Sequence, residues 1–236
     1  MSLTSIDEKD NEESWTTKAL NKIEPILQKI YNHGFIQELI SGDLKKEVFD
    51  YYIAQDVIYC KNYQKCMEII ANRSECDKKK KDFFNNSAES TKKLINYLIK
   101  EYLNCQNPKE EAISKKCKEY CELELKTCQN DSLGEAMAVV LPCYLVYECV
   151  GKYIEEKIKD KDFGNNPYKK FIKDAFIQEK KKNQKNQEMK STDKFKILIN
   201  DFAKMHQDLY EKMINKFVKA TEMEHDFWDF AYKLDK

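Results

Sequence analysis

Five glycines and four prolines in 236 residues are far too few for the turns of an all-β or doubly wound fold, so long helices are implied. Histidine is scarcer still. His33, His206 and His225 are the whole supply, the two Glu-x-x-His motifs that a dinuclear carboxylate bundle pairs do not occur together, and no local signature marks a Ser-His-Asp or Cys-His hydrolase. A lone His33 at a helix end reads as a cap rather than a haem ligand. No Cys-x-x-Cys pair exists; Cys117, Cys121 and Cys128 are separated by three and six residues with no histidine beside them, so no metal is expected. The second half lacks a phosphate-cradling glycine loop, which disfavours a nucleotide enzyme. Lys plus Arg equals Asp plus Glu at 41 each, so no global field attracts nucleic acid or an anionic membrane. No run of about 18 apolar residues is found, and the first residues are polar and acidic. A cytoplasmic protein without a membrane span or signal peptide is the expectation.

What is present is enough for one core: 42% of the chain is apolar and 35% charged. Apolar positions recur at three- and four-residue spacing, as in Val48, Tyr51, Tyr52, Gln55, Ile58, Tyr59, Tyr63, Cys66, Met67 and Ile70. The fold class predicted is an all-α, single-domain bundle over residues 13–236, with 1–12 a flexible tail and the polar segment 179–191 a solvated helix end or loop. Local signals place helices at about 13–32, with a kink or restart at Pro25 and a C-cap at His33-Gly34, and from Asp43 to about 72. Others follow at about 77–104, interrupted near Asn85-Asn86, and from Asn107-Pro108 to 128. A further helix starts at the Ser132-x-x-Glu135 capping box, the next opens at Asn166-Pro167, and the last runs from Asp193 to 234.

Nine cysteines, an odd number with no secretory signal, argue for reduced thiols. Eight read as small buried hydrophobes. Cys143 stands apart, because in EAMAVVLPCYLVYECVG it follows Pro142 and precedes Tyr147 by one turn. A proline inside a helix costs about 3 kcal/mol, and re-aiming Cys143 would compensate for it. Asp56 and Tyr59 share a face of one helix, and that face is aromatic; Asp56 is either hydrogen-bonded to a neighbouring tyrosine or backbone or is a ligand carboxylate in a pocket. In the last helix Glu224 lies one turn before Trp228 on the inward face, with Glu222 about 200° away on the outside, by the helical repeat. A cysteine, one or two acids and several tyrosines suit nucleophilic attack on a small planar ring, with an acid managing protons and aromatics stacking on the ring.

Several separated segments carry a resemblance to the thiaminase II (TenA) family, whose fold is the helical haem-oxygenase-like bundle. HGFIQELISGDL with FDYYIAQDVIY resembles its histidine, Gly-Thr-Leu and Gln-Asp stretch; LPCYLVYECVG resembles its Leu-Pro-Cys-Tyr run, NPYKKFI its Pro-x-Tyr-x-x-Trp-Ile, and EHDFWDFAY its Glu-x-x-Phe-Trp. The resemblance implies a homotetrameric aminopyrimidine aminohydrolase of thiamin salvage, needing no cofactor. It would convert 4-amino-5-aminomethyl-2-methylpyrimidine to the 5-hydroxymethyl compound and hydrolyse thiamin more weakly. By position it implies Cys143 as nucleophile, Asp56 as the carboxylate gripping the aminopyrimidine and Glu224 as the catalytic glutamate. Tyr59 and Tyr120 match its hydrogen-bonding tyrosines, and Tyr147 its ring-stacking aromatic. Phe171 replaces its tryptophan, Ala175 stands where a pocket tyrosine is expected with Phe176 beside it, Gly34 replaces a proline, and Asp43 replaces a threonine while still supplying an N-cap. Two other readings are a bundle that binds a pyrimidine without turning it over, and a regulatory interaction protein.

Overall fold

Helix alone builds the framework, and its breaks decide where the chemistry can sit. The computed structural model describes residues 13–159, 163–176 and 189–235; the 1–12 tail and all but the last residues of the 179–191 segment lie outside this description. Among the described residues are α1 (Trp15–Tyr31), α2 (Gly34–Ser41), α3 (Lys46–Arg73), α4 (Lys78–Tyr102), α5 (Lys115–Asn130), α6 (Leu133–Val140), α7 (Pro142–Ile158), α8 (Lys169–Ala175), α9 (Ser191–Met205) and α10 (Tyr210–Lys233), with no strand. The all-α expectation holds.

Several boundaries differ from the sequence reading, for local reasons. The His33-Gly34 pair does not cap α1; Asn32 does, and His33 opens α2 by accepting from the Phe35 N–H through Nδ1 at 3.2 Å. The glycine that must adopt a positive φ is Gly42, at +89°, which ends α2. Asp43 is therefore not the N-cap of α3, which starts at Lys46 without a side-chain cap. Asn107-Pro108 opens no helix either. A short 3-10 turn at Glu110–Ala112 intervenes, and Ser114 caps α5 by accepting from the Cys117 N–H at 3.1 Å. The buried Gln55 amide holds this entry, donating to the Ala112 carbonyl and accepting from the Ser114 N–H, each at 2.9 Å. Helix α1 runs unbroken through Pro25, α4 runs unbroken through Asn85-Asn86, and α8 starts at Lys169 with Asn166 accepting from the Tyr168 N–H. The expected final helix is two, α9 and α10, parted at His206, which lies outside the helical region at φ −128° and ψ 64°.

Pro142 is the most informative difference. It does not interrupt a helix; it is the first residue of α7, where its missing N–H is no loss. The break leaves the Val140 carbonyl without a helical donor, and the Tyr63 hydroxyl of α3 supplies one at 2.9 Å. The capping box at Ser132 and Glu135 starts α6 as predicted. Leu133–Ile158 is, by length and composition, the one span among the described residues apolar enough to cross a membrane, although no long apolar run had been expected there. It is broken at Pro142, and 61% of its most apolar window is buried against the other helices, as a core element would be. The core is contiguous, running from Trp15 and Ile23 of α1 through Ile53 and Ile70 of α3, residues 136–141 of α6 and its C-cap, and Phe217 and Trp228 of α10.

Candidate active site

The four helices that enclose the site each present side chains four residues apart, the spacing that stacks them on one face. Helix α3 contributes Tyr52 with Asp56 and Tyr59 with Tyr63; α5 contributes Tyr120 and Glu124; α7 contributes Cys143 and Tyr147; α10 contributes Glu224 and Trp228. The six residues singled out from sequence, Asp56, Tyr59, Tyr120, Cys143, Tyr147 and Glu224, meet here. Glu222 does not join them, being exposed and paired with Lys219 at 3.0 Å.

The centre is a hydrogen-bonded chain. Tyr120 donates to Glu224 Oε1 at 2.8 Å, and Tyr59 donates to Glu124 Oε1 at 2.9 Å. The two phenol oxygens lie 3.5 Å apart, with their rings stacked at 5.0 Å. The Tyr59 hydroxyl stands near enough to Cys143 to favour its thiolate. Asp56 takes the Cys60 thiol at 3.8 Å rather than a tyrosine or backbone group, which leaves its carboxyl largely unengaged among the described residues. Asp56, Cys143 and Tyr147 keep partial accessibility although Tyr52, Tyr59, Tyr120, Glu224 and Trp228 around them are buried.

Burial controls the charges, with no cation beside these groups among the described residues. It pushes Asp56 up to about 7, opposed by the Cys60 hydrogen bond, and Glu224 up to about 8, opposed by Tyr120 and reinforced by Asp56. Burial, then Glu224, Glu124 and Asp56, hold the Cys143 thiol well above its usual range, while Tyr59 works the other way. Cys143 also sits in the first turn of α7, where free N–H groups and the helix dipole favour a thiolate. Glu224 is thus protonated at neutral pH, and the resting sulfur is a thiol.

Tyr147 forms the aromatic wall. Phe176 stacks on it at 5.5 Å and 10°, Trp228 tilts against it at 5.6 Å, and the Tyr52 and Tyr147 hydroxyls are 2.5 Å apart. The indole N–H of Trp228 is buried with no acceptor among the described residues. Ala175 is not a pocket position: it is exposed, and the inward residue is its buried neighbour Phe176. The pocket tyrosine expected at 175 therefore has no place in this site. Phe171 is buried edge-on to Tyr52, as an aromatic substitute for tryptophan should be.

Sequence reasoning missed Glu124, which is fully buried. The signal was readable, since Cys117, Tyr120, Cys121, Glu124 and Cys128 share the buried face of α5. Gly151 lies inside α7 and does not break it. A Cβ there would stand 2.5 Å from the Phe176 carbonyl oxygen. Gly151→Ala should therefore displace the Phe176 backbone and lower stability by about 1–3 kcal/mol, read from chemical denaturation, with a weaker grip on any stacked ring. An unchanged midpoint would mean that Phe176 is not held by this contact.

Comparison with known proteins agrees with the fold. An aminopyrimidine aminohydrolase of Halalkalibacterium halodurans is 24% identical over 234 residues, covering 93% of this chain and 96% of its own. An enzyme of the same name from Bacillus subtilis is 25% identical, covering 86% of this chain and 83% of its own. The crystal structure of a TenA homologue from Pyrococcus furiosus superposes with a TM-score of 0.77 at 20% identity, covering 92% of this chain and 99% of its own. A TenA homologue from P. horikoshii matches equally, over 94% of this chain and 99% of its own. The family model of TENA/THI-4/PQQC matches residues 20–234, so the chain belongs to that family.

Proposed function

We propose that this protein is an aminopyrimidine aminohydrolase of thiamin metabolism, replacing the amine of 4-amino-5-aminomethyl-2-methylpyrimidine by hydroxyl through a cysteine nucleophile. The observation that carries the reading is the convergence of Cys143, Asp56 and Glu224 from α7, α3 and α10 beside an aromatic wall. Relatives named for this activity align along most of the chain.

In this reading the ring lies against Tyr147, and Asp56 takes the exocyclic amine and a ring nitrogen. The Trp228 N–H is a donor that a second ring nitrogen would satisfy. Asp56, near 7, can share or hold a proton on that edge and so draws electrons from the ring. Cys143 adds to the ring carbon next to the one bearing the aminomethyl group as its thiol proton passes to the ring nitrogen that Asp56 holds. The electron pair returns through the ring and expels the amine, which leaves as ammonia with the proton of Glu224. Glu224, now a carboxylate, takes a proton from water as the water adds to the exocyclic carbon, and loss of the thiolate restores the aromatic ring.

Chromatography of products after incubation with the aminomethylpyrimidine and, separately, with thiamin tests this. Hydroxymethylpyrimidine should form from both, faster from the first. A folded protein that binds the aminomethyl compound but yields no product would instead favour a pyrimidine-binding protein.

A further inference from the structure

Asp56 is the one acid of the candidate site that a thiol holds. The sequence reading counts Cys60 among the small buried hydrophobes, and it is buried, one turn after Asp56 on the same face of α3. A short polar side chain inside a helix commonly bonds the carbonyl one turn back. Here the Cys60 thiol instead donates to Asp56 Oδ1, at 3.8 Å, and this is the one hydrogen bond that the carboxyl receives among the described residues.

The other groups around Asp56 give its charge no support. Tyr52 from α3, Cys117 from α5, Cys143 and Tyr147 from α7 and Glu224 from α10 face it, all neutral or acidic. Tyr52 and Tyr147 bond to each other, and the Cys117 thiol turns to the Gln55 carbonyl at 3.9 Å. A buried carboxylate without a donor is costly, so Cys60 is the group that decides how readily this one forms. Burial keeps it a donor, holding its thiol well above the usual range, with Asp56 and Cys143 adding to that.

We propose that Cys60 is a positioning residue whose S–H holds Asp56 Oδ1 as an acceptor and so keeps the carboxylate available to a ring N–H and an exocyclic amine at neutral pH. The ligand is that of the aminohydrolase reading, on which the proposal rests; the contact itself belongs to the free protein. Each carboxylate oxygen has two lone pairs. The thiol takes one on Oδ1 and leaves the rest for the two N–H groups that an aminopyrimidine edge presents once its ring nitrogen has received the Cys143 proton. Without the thiol the carboxyl would keep its own proton to higher pH, placing a donor where the ring N–H points. Burial pushes Asp56 up to about 7 against the pull of Cys60, so small changes in that pull alter how much carboxylate exists at neutral pH.

Infrared difference spectra test the contact without substrate. The band of the protonated Asp56 carboxyl is the one that Asp56→Asn abolishes in each background, and in wild type it should titrate away near pH 7. In Cys60→Ala the midpoint should rise by about one pH unit. Cys60→Ser restores a donor and should return it to the wild-type value or below. A merely loosened core would admit water to Asp56 and lower the midpoint. A midpoint that stays or falls in Cys60→Ala, or one as high in Cys60→Ser as in Cys60→Ala, would overturn the proposal. In the aminohydrolase assay Cys60→Ala should lower kcat/KM about fivefold at pH 7 and hardly at pH 9, the ratio of carboxylate fractions for midpoints about one pH unit apart. An even loss at every pH would mark a structural role and overturn it too. Wild type without turnover would refute the aminohydrolase reading and leave the infrared titration to decide the contact.

Discussion

Replacing Cys143 with alanine or serine is expected to lower hydroxymethylpyrimidine formation by on the order of 10⁴-fold or more, since removal of a covalent nucleophile leaves only binding and electrostatics. Serine is the more telling variant. Its hydroxyl matches the thiol in shape, keeps the reach of Tyr59 and stands in the same first turn of α7. Yet it ionises many decades less readily, and the carboxyls that already hold the thiol up would resist an alkoxide further. The fold should not suffer, because Cys143 is only partly buried and the change removes or adds little volume. Circular dichroism should give melting curves close to wild type for both variants. Activity retained within about tenfold would sink the covalent route and leave direct attack by water, driven from Glu224.

Glu224→Gln should act on two properties in opposite directions. It removes the proton that the leaving amine requires, so kcat should fall roughly 10²- to 10⁴-fold while substrate binding changes little. It should also stabilise the fold at high pH. The carboxyl ionises near 4.5 in an unfolded chain but is pushed up to about 8 in the folded one. Below pH 4.5 both states are protonated and the group has no influence. From 4.5 to about 8 the unfolded chain releases its proton and the folded protein retains it, so stability declines as pH rises, and the penalty is complete above 8. Glutamine never ionises and never incurs it. The variant should therefore gain little at pH 4.5 and roughly 2–4 kcal/mol at pH 8.5, measured by urea unfolding. Asp56 adds a similar decline up to about 7, so comparison with Asp56→Asn separates the two. A gain that did not vary with pH would mean that Glu224 is not buried as a neutral acid.

Much of the site was legible because helices write their faces into the sequence. Asp56 with Tyr59, Cys143 with Tyr147, and Glu224 with Trp228 each lie three or four residues apart, so sharing a face followed from the helical repeat alone. Glu124 obeyed the same rule on α5 and was passed over because a glutamate among lysines reads as surface. Other features left no local mark. The break at His206 has no proline or glycine, Phe176 rather than Ala175 turned inward, and Gly151 serves a contact between α7 and the end of α8.

The sequence by itself determined the helical class, the apolar faces, the capping box at Ser132 and the residue types available for chemistry, all of which depend on neighbours within a turn or two. Only the tertiary structure decided their pairing. Tyr120 meets Glu224 across 104 residues, Tyr59 meets Glu124 across 65, and Tyr63 takes the Val140 carbonyl freed by Pro142 across 77. The proton affinities were settled there too. A carboxyl's pKa depends on how much water and which partners the packed helices leave it, and no spacing along the chain encodes either.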